Sequence, residues 1–393
     1  MTSRTAPRLG IGMIGHAFMG AAHSQGWRTA PHVADLPLRP DLAVLAGRDP
    51  AAVRAAADRL GWRDAETDWR ALLERTDVDL VDICSPGDTH ATMAIAALDA
   101  GKHVLCEKPM ANSVAEAELM VQAADRAAAR GVRAMVGFTY RRVPAVALAR
   151  ELVAEGRIGQ VRQVRARYLQ DWLADPQTPL SWRLDKQRAG SGALGDIGAH
   201  VVDLVQFVTG ERLTSVTGLL ETFVPERPRS AGSSGLHATA AEGTGPVTVD
   251  DAALFLGRLS GGGIGTFEAT RFAWGRKNAL QVELSGSQGS IAFDFEDMNV
   301  LHLFDAREPA RTAGFRRIVV TEPDHPYLAA WWPPGHGLGY EHAFTHQVLD
   351  LVAALADGRQ PEPSFADGLV VQRVLDAVER SSLDGGRWTR VPA

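Results

Sequence analysis

The residues of this chain that could do chemistry fall in two short stretches. Lys108 lies in Cys106-Glu107-Lys108-Pro109, directly after the apolar run His103 to Cys106. That run reads as a buried parallel strand, so the polar residues after it emerge where open α/β sheets bind their ligands. Pro109 has no backbone donor and favours an extended residue before it, which fixes the direction in which the lysine leaves the strand. A point charge held there could stabilise a developing alkoxide or a polarised carbonyl. The second stretch is Gly195-Asp196-Ile197-Gly198-Ala199-His200, where Asp196 and His200 stand four residues apart at the expected start of a helix and share a face. A carboxylate beside an imidazole holds its tautomer and stabilises the imidazolium as the ring takes a substrate proton. Taken singly, each is more simply explained as a surface lysine or a satisfied core histidine.

A third stretch points to a cofactor. Residues 9–20, LGIGMIGHAFMG, read as a strand running into glycines, and AAHSQGWRTAPHV continues as a helix. A dinucleotide needs a tight turn at Gly15, close backbone approach at Ala17 and close helix packing at Gly20, with the helix start facing the pyrophosphate. The alanine puts one methyl group where that turn usually carries glycine. The next strand, Asp41 to Ala46, ends in Gly47-Arg48-Asp49. Gly47 removes the carboxylate that would repel a 2'-phosphate and Arg48 could pair with it, so the cofactor is NAD or NADP, with a slight lean toward NADP being accepted.

These residues need a scaffold, and the alternation of patterns describes it. Strands alternate with helices over 51–60, 69–75, 91–100 and 114–130 up to the strand Arg133 to Val136, which specifies a doubly wound parallel sheet in an α/β domain. Asp88 or Thr89, and Asn112 or Ser113, are expected N-caps. After a helix over 144–155 the pattern changes. The alternating run Gln163 to Asp171 starts strands of a second kind, and AALFLGRL-SGGG-IGTFEATRF and ALQVELSG-SQG-SIAFDF read as hairpins of a large open antiparallel sheet in an α+β domain. Alternation of Ile291, Phe293 and Phe295 buries one face. Residues 225–248, rich in Pro, Gly, Ser and Ala, are expected to form an irregular loop. The division expected is 1–139 for nucleotide binding and 140–393 for substrate binding and oligomerisation.

Composition limits the partners. A length of 393 residues suits about two domains, and a net charge of -6 argues against nucleic acid or an anionic membrane. The two cysteines, Cys84 and Cys106, end apolar runs and read as buried free thiols, without metal-ligand spacing, so no metal is expected. The N-terminal stretch is too short in apolar residues for a signal sequence and no run approaches a membrane span, so a cytoplasmic protein is expected.

Together, GMIGHAFMGAAH, CSPGDTH, CEKP and GDIGAH resemble, in this order, the motifs of the glucose-fructose oxidoreductase and inositol dehydrogenase (Gfo/Idh/MocA) family, over nearly the whole chain. The resemblance implies an N-terminal Rossmann domain and a C-terminal substrate domain. It implies Lys108, Asp196 and His200 as catalytic, with either His200 or Lys108 as the base. Cofactor contacts are implied for Gly15, Ala17, Phe18, Met19 and Gly20 of the loop, for Gly47 and Arg48, for Ser85, Pro86 and His90 of the second turn, and for Glu107 and Lys108. Tyr140, Tyr168, Gln170, Trp172 and Arg183 are candidate sugar contacts, because Tyr168, Gln170 and Trp172 alternate on one strand face that offers hydrogen bonds and apolar stacking. The stretches YLQDWLADPQTPLSWR and HPYLAAWWPPGHGLGY are similar to those of members that oxidise an anhydrosugar at C3. The expected activity is oxidation of a secondary hydroxyl of a sugar, anhydrosugar or cyclitol by a homodimer or homotetramer. A nucleotide-binding regulator without turnover and a redox-assisted glycosidase or lyase are the rival readings.

Overall fold

The computed structural model describes residues 6–234 and 237–393. The expectations for residues 1–5 and for 235–236 lie outside the described residues. The chain divides into two compact units, one of residues 1–139, 233–237 and 340–372, the other of residues 140–232, 238–339 and 373–393.

The first unit begins with β1 (Arg8–Ile14), α1 (Phe18–Val33), β2 (Arg39–Ala46), α2 (Pro50–Leu60), β3 (Asp64–Glu66) and α3 (Trp69–Glu74). It continues with β4 (Leu80–Ile83), α4 (His90–Asp99), β5 (His103–Cys106), α5 (Val114–Ala128) and β6 (Ala134–Val136). The strands form one six-stranded sheet in the order β3-β2-β1-β4-β5-β6. Every pairing in it is parallel, as crossover helices require. Ser113 caps α5, its hydroxyl accepting the Glu116 N–H at 3.2 Å, while Glu116 accepts the Asn112 N–H at 3.1 Å in return. At α4 the expectation changes: Thr89 holds the cap position, but its hydroxyl donates to the Pro86 carbonyl at 2.7 Å instead of capping.

In the second unit α6 (Pro144–Ala154), β7 (Val161–Leu169), the short α7 (Lys186–Ala189) and α8 (Ala199–Thr209) come first. They are followed by β8 (Leu213–Glu221), β9 (Glu226–Ser234), β10 (His237–Pro246), β11 (Ala252–Leu259) and β12 (Ile264–Thr270). Then come β13 (Ala279–Gly286), β14 (Gly289–Asp294), β15 (Val300–Asp305) and β16 (Arg316–Val319). Both expected hairpins are present. The large sheet has nine strands and is mixed, because β12 pairs with β7 in parallel. One face of it is buried, with Phe255 and Phe267 stacked at 4.6 Å across the β11–β12 pair. The expectation of an irregular loop over 225–248 is corrected: β9 and β10 form a separate two-stranded ribbon. Alanine, glycine and serine give no alternation to read, yet Arg227, fully buried, holds the base of the ribbon by donating to the carbonyls of Leu173 (2.6 Å) and Asp175 (2.8 Å).

Late in the chain stand α9 (Tyr340–Ala356), α10 (Phe365–Leu383) and β17 (Thr389–Arg390). Val348, Leu351 and Val352 of α9 join Ile11, Met13, Trp27 and Leu80 in one core of the first unit. No helix among the described residues is long and apolar enough to cross a membrane.

Candidate active site

The turn after β1 is built for a close ligand. Gly15 has φ 102°, in the left-handed region where a side chain is strained, and its N–H donates to the Ala46 carbonyl at 2.9 Å. A Cβ on Gly20 would lie 2.2 Å from the Gly15 carbonyl oxygen, so α1 can approach this turn only through glycine. Ala17, at the N-cap of α1, makes no side-chain hydrogen bond, so the first-turn N–H groups receive no cap from it. A helix start of that kind suits a pyrophosphate, and the fit to a dinucleotide rests on it. Phe18 is exposed with its ring 6.0 Å from that of Tyr340, and Met19 turns inward against the core. At the tip of β2 the His16 ring lies against Gly47, 2.6 Å from where a Cβ would stand. Arg48 is exposed, and Asp49 is engaged elsewhere: its carboxylate caps α2 by accepting the Ala52 N–H at 2.7 Å.

The turns after β4 and β5 are tied together. His90 places Nε2 2.9 Å from the Ser85 carbonyl and Nδ1 2.9 Å from the Pro109 carbonyl. Pro86 is extended, and Ser85 shares a 2.6 Å hydrogen bond with the Thr89 hydroxyl. Lys108 is half-buried, its peptide bond to Pro109 is cis, and its N–H donates to Glu107 Oε2 at 3.2 Å.

Behind this corner lies a buried polar chain that sequence reasoning missed. Asp82, fully buried in β4, accepts from Trp27 Nε1 at 2.7 Å and faces His23 Nδ1 at 2.9 and 3.0 Å. His23 Nε2 lies 2.9 Å from Glu107 Oε1. The signal was an aspartate inside an otherwise apolar strand, which demands a partner. Burial alone would pull the His23 imidazole down, but Asp82 and Cys84 together outweigh it and hold the ring well above the ordinary histidine value. His23, Asp82 and Cys84 are also residue types that bind metal, but Cys84 Sγ is spent on Asp82 at 3.5 Å and burial pushes its thiol up.

In the second unit, Asp196 sits on a π-helical turn, Leu194–Gly198, that runs into α8, not on an ordinary first helical turn. Asp250 shapes that turn: one carboxylate oxygen accepts the Gly192 N–H and the other the Leu194 N–H, both at 2.7 Å. Burial pushes the Asp250 carboxyl up, and these N–H groups oppose it. Arg271, fully buried, reaches Asp196 Oδ2 at 3.4 Å and the Asp250 carbonyl at 3.2 Å, with its guanidinium 5.5 Å from the centre of the Trp172 ring. His200, at the start of α8, lies 4.5 Å from the ring of Tyr140 and 5.9 Å from that of Tyr168.

Four of the five candidate sugar contacts, Tyr140, Tyr168, Gln170 and Trp172, are joined in one hydrogen-bonded row. Tyr140 and Tyr168 share a hydroxyl–hydroxyl bond of 2.8 Å, and Tyr168 Oη and Gln170 Nε2 donate to Asn278 Oδ1 at 2.5 and 2.8 Å. Trp172 Nε1 donates to Gln170 Oε1 at 2.9 Å. The expected strand through Asp171 is corrected, since β7 ends at Leu169, and hydrogen bonds instead of strand pleat align Gln170 and Trp172 with Tyr168. The Arg183 guanidinium lies 4.5 Å over the Trp182 ring; burial lowers its pKa while Asp196 opposes. Asn278, Arg271 and Asp250 carry no spacing that links them to their partners in sequence.

The sheet order and the uncapped glycine turn define a dinucleotide-binding Rossmann fold. Residues 9–138 match the model of an oxidoreductase family with an NAD-binding Rossmann fold, and residues 146–292 match the GFO/IDH/MocA C-terminal domain. The chain belongs to the GFO/IDH/MocA oxidoreductase family. It is 41% identical over 389 residues to the levoglucosan dehydrogenase of Pseudarthrobacter phenanthrenivorans, covering 98% of each chain. Among solved structures, an oxidoreductase domain protein from Kribbella flavida is 68% identical with a TM-score of 0.94, over 98% of this chain and 100% of that one. A levoglucosan dehydrogenase in complex with NADH and levoglucosan is 40% identical with a TM-score of 0.92, over 98% of this chain and 100% of that one.

Proposed function

We propose that this oxidoreductase is an NAD-dependent dehydrogenase that oxidises a secondary hydroxyl of a sugar or anhydrosugar, levoglucosan being the first candidate, to a ketone. The observation that carries this is the 40% identity, over 98% of the chain, to a dehydrogenase solved with NADH and levoglucosan. When bound, the nicotinamide supplies the hydride acceptor. His200 takes the hydroxyl proton, Asp196 orients the reacting group, and Lys108 stabilises the alkoxide. The Gly15–Gly20 turn would hold the pyrophosphate, while the row from Tyr140 to Trp172 offers hydroxyl, amide and indole groups suited to a sugar.

The reading is tested by following the absorbance of the reduced nicotinamide over a panel of sugars, anhydrosugars and cyclitols with both cofactors. Turnover without net reduced cofactor would instead mark a glycosidase or lyase. NAD is the cofactor of the proposal, and exposed Arg48, beside an Asp49 occupied by its helix, supports acceptance of NADP as well. A charge-assisted contact to the 2'-phosphate contributes about 1.5 to 3 kcal/mol, so Arg48→Ala should lower kcat/KM for NADP by roughly 10- to 100-fold and leave NAD nearly unchanged. Equal kcat/KM for NADP before and after the substitution would remove Arg48 from the phosphate.

The outer face of the nine-stranded sheet exposes Leu219 (58%), Leu254 (48%), Leu256 (47%) and Ile264 (51%). An apolar stripe of that kind supports assembly into a symmetric dimer or tetramer through the sheet. Light scattering should then give at least twice the mass of one chain, and a monomer at micromolar concentration would refute it.

A further inference from the structure

The chain from Trp27 through Asp82, His23 and Glu107 to Lys108 is continuous, buried and polar, and the reaction scheme above makes no use of it. Both nitrogens of His23 face carboxylates, Nδ1 that of Asp82 at 2.9 Å and Nε2 that of Glu107 at 2.9 Å. Carboxyl groups at both nitrogens favour the doubly protonated ring, which has two N–H donors to offer, in line with the raised value of this imidazole. Glu107, 4% exposed, passes the fixation on: its other oxygen accepts the N–H of Lys108 at 3.2 Å. The backbone gives way to make room, since a Cβ on residue 137 would stand 2.7 Å from Glu107 Oε1, and that residue is glycine. For stability alone such a cluster has no advantage, because well-packed apolar side chains of the same volume do as well or better than buried ions. What apolar residues could not do is hold the Glu107 carboxyl group in one orientation at the point where Lys108 leaves β5.

We propose that His23 is a positioning residue: clamped by Asp82, it fixes Glu107, and through Glu107 the turn that aims Lys108. The inference rests on the reading of Lys108 as a reacting group. The ring nitrogens of His23 face Asp82 and Glu107, so the proposed route from His23 to Lys108 runs through Glu107.

The test is a double-mutant cycle on kcat with His23→Gln, Glu107→Gln and the pair, together with NADH binding followed by fluorescence and melting temperature. Each single substitution should lower kcat by roughly 10- to 100-fold through misplacement of the lysine, and for His23→Gln NADH affinity should change far less. The double variant should be no slower than the slower single one; losses that multiply would show that His23 acts independently of Glu107 and overturn the proposal. Gly137→Ala serves if His23→Gln does not fold, since it pushes on Glu107 Oε1 while leaving the His23–Asp82 pair intact, and an unchanged kcat there would also overturn it. A pH series adds a separate check. The groups facing His23 are Asp82 of β4 and Cys84 just after it, Cys106 and Glu107 at the end of β5, and the Phe344 ring of α9. With its proton held well above the ordinary histidine value, the stabilisation from His23 is complete below that value and is lost as pH rises through the raised one. The wild type should therefore lose melting temperature toward alkaline pH more steeply than His23→Gln, and parallel curves would remove the imidazolium. Lys108→Met run alongside separates the two readings: if it retains turnover both fall, and if it is inactive while His23→Gln is normal only this inference falls.

Discussion

Lys108→Met should lower kcat by roughly 10²-fold or more while NADH binding changes little, because the charge it removes is needed only as negative charge develops on the substrate oxygen. Methionine keeps the length and much of the volume of the side chain, so the change isolates the ammonium group. The surroundings support a defined aim: Glu107 holds the backbone N–H of Lys108, and His90 ties the following carbonyl of Pro109 to the Ser85 turn, each within 3.2 Å. A loss of 10²-fold corresponds to about 2.7 kcal/mol of transition-state stabilisation, the size expected of one preorganised donor. Steady-state kinetics with a fluorescence titration of NADH checks it, and a variant with near-full turnover would take the lysine out of the mechanism.

Asp250→Asn should reduce kcat by roughly tenfold or more and lower the melting temperature, although residue 250 touches no reacting group in the proposed scheme. Its two oxygens each accept a buried N–H, from Gly192 and from Leu194, at the entrance to the π-helical turn that carries Asp196. An asparagine of the same shape must turn an NH2 group toward one of those N–H groups. A buried donor left unsatisfied costs about 1 to 3 kcal/mol, and the turn relieves it by moving. Asp196 and His200 would move with that turn. Crystal structures or hydrogen exchange of the Gly192–His200 segment would locate the change, and unaltered kinetics would show that the turn holds its shape without Asp250.

The parallel half of the fold was legible, apart from the edge strand β3 (Asp64–Glu66) whose DAE carries no apolar run, because its other strands contain short apolar runs and its crossovers carry helix formers and turn residues. Gly15 and Gly20 were legible for the same reason, each needed by a turn or a close approach. The ribbon of β9 and β10 was not, since small residues encode neither period 2 nor period 3.6, and its anchor is a single buried arginine, Arg227. The candidate site divided in the same way. Lys108, Asp196 and His200 stand in compact local motifs, whereas Asn278 meets Tyr168 and Gln170 from 110 and 108 residues away, a distance no local pattern spans. Asp82 was open to reading, as a charge inside an apolar strand, but its histidine partner sits 59 positions earlier on α1. The π-helical turn followed from no spacing at all, because its cap, Asp250, arrives from a distant strand junction.

The first unit takes α9 into its core, and that has a consequence for the order of events on the ribosome. A Cβ on Gly26 of α1 would stand 2.9 Å from the backbone of Phe344, so the two helices touch main chain to main chain. The Val136 N–H of β6 donates to the Pro363 carbonyl at 2.9 Å, which gives that strand an acceptor more than two hundred residues downstream. At about 5 to 20 residues per second, the nascent first unit waits on the order of ten seconds or more between release of β6 and release of the segment that closes it. During that interval the side of α1 that will meet α9 is a natural client surface for a chaperone. A chain terminated after residue 139 would keep that surface open permanently, and would be cleared or aggregate instead of persisting as a free nucleotide-binding domain.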